Sequence, residues 1–204
     1  KVGVNLTGAN ANTTITHSSS AVAGTADALA LTLSGANTTT SGTLTVNGFE
    51  TINVNAAGAT GSSSTALTIA DDSLQTLAIT GAGASAIVAT FSGAAGTIVA
   101  TATGGDGADS IVGGVGGDSL VGGAGNDTIN GVATTFQTGD IIDGGAGTDT
   151  VYVSVATDFA PTRITNVEKF IVNPAGPGTA NFNAVSGISS VELLSPVGAQ
   201  TISK

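Results

Sequence analysis

The aspartates Asp109, Asp118 and Asp127 fall nine residues apart, and after a longer interval Asp140 and Asp149 are again nine apart. Two positions beyond each stands a large aliphatic residue: Ile111, Leu120, Ile129, Ile142 and Val151. Glycines precede most of them in a fixed pattern, as in Gly104-Gly105-Asp106-Gly107-Ala108-Asp109-Ser110-Ile111-Val112. The unit is G-G-x-G-x-D-x-U-x, with U a large aliphatic. It runs from Gly104 to Val112, Gly113 to Val121 and Gly122 to Asn130, and again from Gly144 to Tyr152. Gly131 to Asp143 is a version with four extra residues that keeps Asp140 and Ile142 in phase. Glycine reaches φ > 0 without steric cost, so the backbone can curl with its carbonyls turned inward. Carbonyl and carboxylate oxygens are hard ligands. They suit Ca²⁺, which takes about six to eight oxygens in a loosely shaped shell.

Such loops need strands to hold them. The last three residues of each unit read as a short strand whose aliphatic points into a core. One nonapeptide is then half a coil, and two make a full turn. The loops of repeats i and i+2 stack on one edge, with room for an ion between them. A flexible Gly/Asp linker has a similar composition, but a linker needs no core residue, and here the aliphatics recur at one phase.

These units resemble the RTX family of secreted calcium-binding proteins over residues 104–152, about a quarter of the chain. The resemblance implies a parallel β-roll. Each ion would be held by the second and fourth carbonyls and the Asp of one loop, with the first and third carbonyls and the Asp of the loop two repeats later. Carried over, one Ca²⁺ lies between Gly105, Gly107, Asp109 and Gly122, Ala124, Asp127. A second lies between Gly123, Gly125, Asp127 and Gly144, Ala146, Asp149. On the opposite edge Gly114, Gly116 and Asp118 meet the loop ending in Asp140. There the stretch from Val132 to Thr138 departs from the pattern, and Thr138 stands where a glycine is expected.

The rest of the chain reads as strands. In residues 1–103 Leu29, Leu31 and Leu33 alternate with small or polar residues, as do Leu44 and Val46, Ile52 and Val54, Leu67 and Ile69, and Leu77 and Ile79. That is the period of a half-buried strand. Phe49-Glu50-Thr51-Ile52-Asn53-Val54 matches Leu74-Gln75-Thr76-Leu77-Ala78-Ile79, and Val167-Glu168-Lys169-Phe170-Ile171-Val172 matches again. Val191-Glu192-Leu193-Leu194 is expected to start a fourth copy, with Glu50, Glu168 and Glu192 sharing one position as a solvated ladder or hydrogen-bonded turn. A period near 24 residues points to stacked coils. The expected fold is all-β: a β-solenoid or stacked sheets, with a solenoid-like region at 1–103, the calcium β-roll at 104–152, and a continuation at 153–204.

The composition narrows the function. The net charge is −10, and only Lys1, Arg163, Lys169 and Lys204 are basic. That disfavours nucleic acid and anionic membrane surfaces, both of which need a basic face. There is no cysteine to form a disulfide, and no long uncharged run free of Ser, Thr and Gly to insert in a membrane. Lys1 opens directly into strand-like sequence, as expected of a piece excised from a longer chain.

Catalysis finds little support. His17 is the only histidine, so a two-histidine zinc signature is absent, and no nucleophile elbow lies near it. Asp71-Asp72-Ser73 reads as a turn rather than a pair of catalytic acids. Gly104-Gly105-Asp106-Gly107 lacks the lysine of a phosphate loop. The run from Gly144 to Val151 followed by Ile164-Thr165-Asn166-Val167-Glu168, with the acidic Ala/Thr/Gly-rich composition, is similar to surface-layer proteins of Gram-negative bacteria. That resemblance implies a structural, non-enzymatic segment at the bacterial cell surface that assembles with copies of itself in calcium. Cell-surface polysaccharide is a candidate partner for parts outside this chain. The alternative is the folding and secretion module of a type I-secreted enzyme, toxin or adhesin.

Overall fold

The computed structural model describes residues 2–7, 13–14, 26–36, 42–45, 48–60, 67–71, 75–80, 87–91, 101–112, 117–131, 139–155, 158–194 and 200–204. All regular structure among them is strand. Ahead of the aspartate block come β1 (Val2–Thr7), β2 (Thr13–Thr14), β3 (Ala28–Ala36), β4 (Gly42–Thr45), β5 (Thr51–Thr60), β6 (Leu67–Asp71), β7 (Thr76–Thr80), β8 (Ile87–Phe91) and β9 (Thr101–Thr103). The block itself forms β10 (Ser110–Val112), β11 (Ser119–Ala124), β12 (Thr128–Gly131), β13 (Ile141–Ala146) and β14 (Thr150–Val155). Beyond it lie β15 (Ile164–Thr165), β16 (Lys169–Pro174), β17 (Gly178–Asn181), β18 (Ser190–Leu193) and β19 (Gln200–Ser203).

The odd strands from β1 to β15 make one sheet in sequence order, and the even strands from β2 to β18 make the other. The chain thus alternates between two parallel sheets and climbs one level every two strands, which is the expected β-solenoid. Contiguous nonapeptides fall in opposite sheets, with Ile111 and Ile129 in one and Leu120 and Ile142 in the other. The repeat is therefore half a coil, as its length requires. After β14 the coil widens. Phe159 bridges to Ala180 of β17, which pairs in turn with β19 to form a short third face. Phe182 fills the added interior, its ring 4.7 Å from Phe170 and 5.9 Å from Phe159.

The aliphatic spacing sets the register. Leu29, Ile52, Leu77, Ala102, Leu120, Ile142 and Ile164 occupy one row across the first sheet. Ile111, Ile129, Val151, Phe170 and Val191 occupy the corresponding row of the second. Ile52, Leu77, Ile111, Ile129, Ile142, Val151 and Phe170 are wholly buried in one shared core. Each such side chain is worth about 1.5–3 kcal/mol. A slip of one residue would turn an entire row to solvent, so the pattern fixes the stacking.

The coils are also tied at their corners, by an acidic side chain two residues before a core position. Glu50 accepts a hydrogen bond from the Asp27 N–H of the coil before it, at 2.8 Å. Glu168 accepts one from the Asp149 N–H, also at 2.8 Å. Glu50 and Glu168 do not share one ladder as expected, since Ile52 stands in the first sheet and Phe170 in the second, and Glu192 does not follow Glu168. It pairs in register with Ile171, inside β18, and Ser189 takes the corner place after Glu168. The coil from Lys169 to Ser190 is shorter than the period near 24 residues predicts, which carries Glu192 past the corner and onto the strand. There it meets Lys169 at 3.4 Å in an exposed ion pair, a contact of little energetic weight. Asp71 closes β6, while Asp72, Ser73 and His17 lie outside the described residues.

Candidate metal centre

Three glycine-aspartate loops stack on the edge where the chain passes from the first sheet to the second. They are residues 104–109 before β10, 122–127 leading into β12, and 144–149 leading into β14. Their levels are set by the paired strands on either side, Val121 with Asp143 and Ile129 with Val151 among them. The backbone N–H of Asp109 donates to Asp127 Oδ1 at 2.7 Å, and the N–H of Asp127 donates to Asp149 Oδ1 at 2.8 Å. Asn126 Oδ1 accepts from the Thr148 N–H at 2.8 Å, adding a tie between the second and third loops. Loops two repeats apart do stack.

The carbonyls of one loop press on the backbone of the next, the Gly105 carbonyl accepting from the Ala124 N–H at 2.9 Å. A Cβ on Gly123 would overlap the Gly105 carbonyl oxygen, and one on Gly125 would overlap that of Gly107. One level on, Gly145 and Gly147 stand in the same relation to the carbonyls of Gly123 and Gly125. These four glycines have φ of 113°, 131°, 98° and 142°, a region that side-chain-bearing residues rarely adopt. In the reverse direction, the Gly122 and Gly144 carbonyls approach Gly104 and Gly122, and the Ala146 carbonyl accepts from the Gly125 N–H at 2.8 Å. The structure therefore brings Gly105, Gly107 and Asp109 against Gly122, Ala124 and Asp127. It also brings Gly123, Gly125 and Asp127 against Gly144, Ala146 and Asp149.

Asp109, Asp127 and Asp149 are at most 3 % exposed. Burying a carboxylate without a partner is costly, yet Asp127 Oδ2 and Asp149 Oδ2 are buried with no hydrogen-bond partner. Burial pushes Asp109 up to about 7, against the Gly105 N–H bond that lowers it and with the charges of Asp127 and Asp106 adding to the rise. Burial likewise pushes Asp127 up to about 6, opposed by the Asp109 N–H and helped by the charge of Asp149. Asp149 is raised by burial too, against the Asp127 N–H, with Glu168 and Asp143 adding to the rise. A stack of buried, mutually repelling carboxylates beside converging carbonyls fits a cation. Among the described residues no three His, Cys, Asp or Glu side chains gather as a metal cluster. The donors are mainly backbone oxygens with carboxylates interspersed, which is a hard-ion set.

A family match decides the ion. Residues 103–133 and 139–159 match the RTX calcium-binding nonapeptide repeat. These are RTX calcium-binding repeats. No curated protein and no solved structure matches the chain. The RTX block is thus a calcium-binding β-roll built into a longer solenoid, and Ca²⁺ is its cofactor.

The opposite edge of the roll is partly described. Asp118 and Asp140 meet as expected, the Asp118 N–H donating to Asp140 Oδ1 at 2.8 Å. Gly114, Gly116 and the stretch 132–138 lie outside the described residues. Gly104, Gly145 and Gly147 belong to the stacked loops, as their places in the nonapeptides imply, but were not among the expected calcium ligands. Glu168 joins the same ladder, and its signal was present: Glu168-Lys169-Phe170 repeats the acid-x-apolar order of Asp149-Thr150-Val151.

The pH dependence follows in sign. In the unfolded chain these carboxyls ionise near 3.8. Between that value and about 7 the metal-free fold holds protons that the unfolded chain has released. This contribution to stability is full below 3.8 and is lost as pH rises through about 6 to 7. Calcium needs the ionised carboxylates, so its binding runs the other way and releases protons. Calcium titrations are expected to show weaker binding at about pH 5 than at about pH 8, while the calcium-free roll resists denaturant better at the lower pH. Equal calcium midpoints at both values would contradict the assignment of buried carboxylates as ligands.

Proposed function

We propose that this chain is a structural segment of a calcium-dependent, self-assembling surface-layer protein, working outside the cell at the bacterial surface. The observation that carries this reading is the position of the calcium loops. They interrupt neither sheet: β7, β9, β11, β13 and β15 are consecutive neighbours in one, and β8, β10, β12, β14 and β16 in the other. Ions held there order a scaffold on both sides of the roll. One ion would be held by Gly105, Gly107, Asp109, Gly122, Ala124 and Asp127. A second would be held by Gly123, Gly125, Asp127, Gly144, Ala146 and Asp149.

Calcium supplies positive charge that offsets the buried carboxylates, and the protein supplies a fixed oxygen cage. Extracellular calcium modules commonly bind at about 10⁻⁴–10⁻³ M. An ion scarce inside cells and plentiful outside would leave the roll unfolded before export and folded after it. Neutralising part of a net charge of −10 also lowers the repulsion between neighbouring copies.

Millimolar calcium is expected to order the full-length protein into sheets visible by electron microscopy, with a rise in light scattering. Magnesium is expected not to do so, because it demands a tighter octahedron. Full-length protein that stays monomeric across that range, with its roll folded, would replace this reading with that of a folding and secretion module of a type I-secreted enzyme, toxin or adhesin.

A further inference from the structure

We propose a further calcium site just beyond the last glycine-aspartate loop, formed by Asp149 Oδ2, the Asn166 carbonyl and the Glu168 carboxylate. The proposal rests on the calcium-roll reading and extends it past residue 159, where the RTX match ends.

The argument is a repeated geometry. At the first level, a Cβ on Gly104 would overlap the Gly122 carbonyl oxygen and lie 2.7 Å from Asp109 Oδ2. At the second, a Cβ on Gly122 would overlap both the Gly144 carbonyl oxygen and Asp127 Oδ2. At the third, a Cβ on Gly144 would overlap the Asn166 carbonyl oxygen and lie 2.7 Å from Asp149 Oδ2. Each time, the carboxylate of one loop and the first carbonyl of the next level converge on a point that only glycine leaves open. The third convergence is built like the other two, but its carbonyl comes from a residue outside any nonapeptide.

The neighbouring side chains complete the likeness. Glu168 Oε2 accepts from the Asp149 N–H at 2.8 Å, as Asp149 Oδ1 does from the Asp127 N–H. In the paired strands Ile142 is level with Ile164 and Thr150 with Lys169. The stretch from Asn166 to Glu168 therefore replaces the longer one from Gly144 to Asp149. The longer glutamate side chain spans what the shorter turn leaves open. Asn166 sits at φ 52°, and its side-chain amide donates to Asp143 Oδ1 at 2.8 Å, holding the turn in place. Asp143 Oδ1 also accepts from the Gly145 N–H at 3.2 Å, so the same carboxylate fixes both sides of the gap.

A purely structural corner exists for comparison. Glu50 accepts from the Asp27 N–H in the same way, but Asp27 is half-buried and has partners of its own. Asp149 is 1 % exposed with Oδ2 unpartnered. The buried lone oxygen next to a converging carbonyl is what separates a ligand from a hydrogen-bonded corner. The shortened turn has no counterpart of Ala146, so the next level offers one carbonyl, that of Asn166, where Gly144 and Ala146 offer two, and its ion should be held less tightly.

Equilibrium dialysis of the chain against calcium would test this, with Glu168→Gln as the main variant because glutamine keeps an acceptor for the Asp149 N–H while losing the charge. The expected result is one fewer ion per chain, or one class of site weakened on the order of tenfold or more, with unchanged circular dichroism in saturating calcium. Asp149→Asn should then lose as much binding as Asp127→Asn, because each would border two ions, and more than Asp109→Asn, which borders one. An unchanged ion count in Glu168→Gln, with Asp149→Asn no worse than Asp109→Asn, would overturn the further site while leaving the roll intact. If Asp127→Asn also binds calcium like the parent, the roll assignment itself fails. Should Glu168→Gln not fold, anomalous diffraction from unmodified protein crystallised with terbium decides. An ion at the Asn166 carbonyl supports the site, and ions only between the glycine loops refute it.

Discussion

Chelating calcium is expected to unfold the roll, and the loss should spread into the coils on either side. The buried carboxylates make this the largest effect. Asp109, Asp127 and Asp149 are stacked in one column with Asp127 Oδ2 and Asp149 Oδ2 unpartnered. At neutral pH a metal-free fold must either keep charge in a poorly solvated place or take up protons against the bulk pH. Both cost free energy. An ion present at about one hundred times its dissociation constant adds roughly 2.7 kcal/mol. Two such ions are comparable with the stability of an ordinary domain, about 5–15 kcal/mol. Because each coil of a solenoid touches only its neighbours, melting β10 to β14 removes the partners of β8 and β9 on one side and of β15 and β16 on the other. Amide hydrogen exchange should show protection lost first at 104–152 and then in the flanking strands when calcium is withdrawn near pH 8. Protection maps that are the same with and without chelator, after enough time for ions to leave, would show that the carboxylates are not balanced by metal.

The strands and the calcium loops were legible in the sequence because both depend on short, regular spacing. Ile111, Leu120, Ile129, Ile142 and Val151 recur at one phase, and that phase places them in two facing rows. What was not legible is that two apparently different repeats are one. The nonapeptide order Asp127-Thr128-Ile129 and the looser order Glu50-Thr51-Ile52 describe the same kind of corner on opposite edges of the solenoid: an acid that accepts the N–H of the previous level, one exposed or half-buried residue, then a core residue. Glu168 obeys the rule and Glu192 does not, although both follow a valine. The difference lies in coil length. Coil length depends on how much chain each turn consumes, and the widening after β14, filled by Phe159 and Phe182, could not be read from local pattern. The third convergence at Asn166 was hidden for the same reason. No glycine marks it, and only stacking on Gly144 reveals the carbonyl.

Replacing single glycines should separate the ion-holding edge from the rest of the fold, with Gly125→Ala far more damaging than Gly187→Ala or Gly117→Ala. Gly125 has φ 131°, and a Cβ there would overlap the Gly107 carbonyl oxygen and lie 2.6 Å from its carbon and 3.1 Å from the Ala108 nitrogen. All three atoms are backbone of the adjacent loop, so no side chain can move aside. The loops must separate, or Gly125 must leave a conformation that only glycine holds at low cost. Backbone strain of this kind costs about 1–3 kcal/mol, and loss of the ion between the loops adds roughly 2.7 kcal/mol at calcium one hundred times the dissociation constant. Two other glycines separate these contributions. Gly187 has φ 84° but open space where a Cβ would go, so Gly187→Ala should cost only the conformational part, about 1–2 kcal/mol, and should not alter calcium affinity. Gly117 lies on the opposite edge with ordinary φ, and its Cβ would meet the Gly139 carbonyl at 3.5 Å, a normal contact. Gly117→Ala should be nearly neutral, or stabilising by about 0.4–1 kcal/mol through the unfolded chain. Denaturant midpoints measured with and without calcium would rank the three. Gly125→Ala should abolish most of the calcium-dependent shift, while the other two keep it. Equal shifts in all three variants would mean that no ion lies between the loops that carry Gly107 and Gly125.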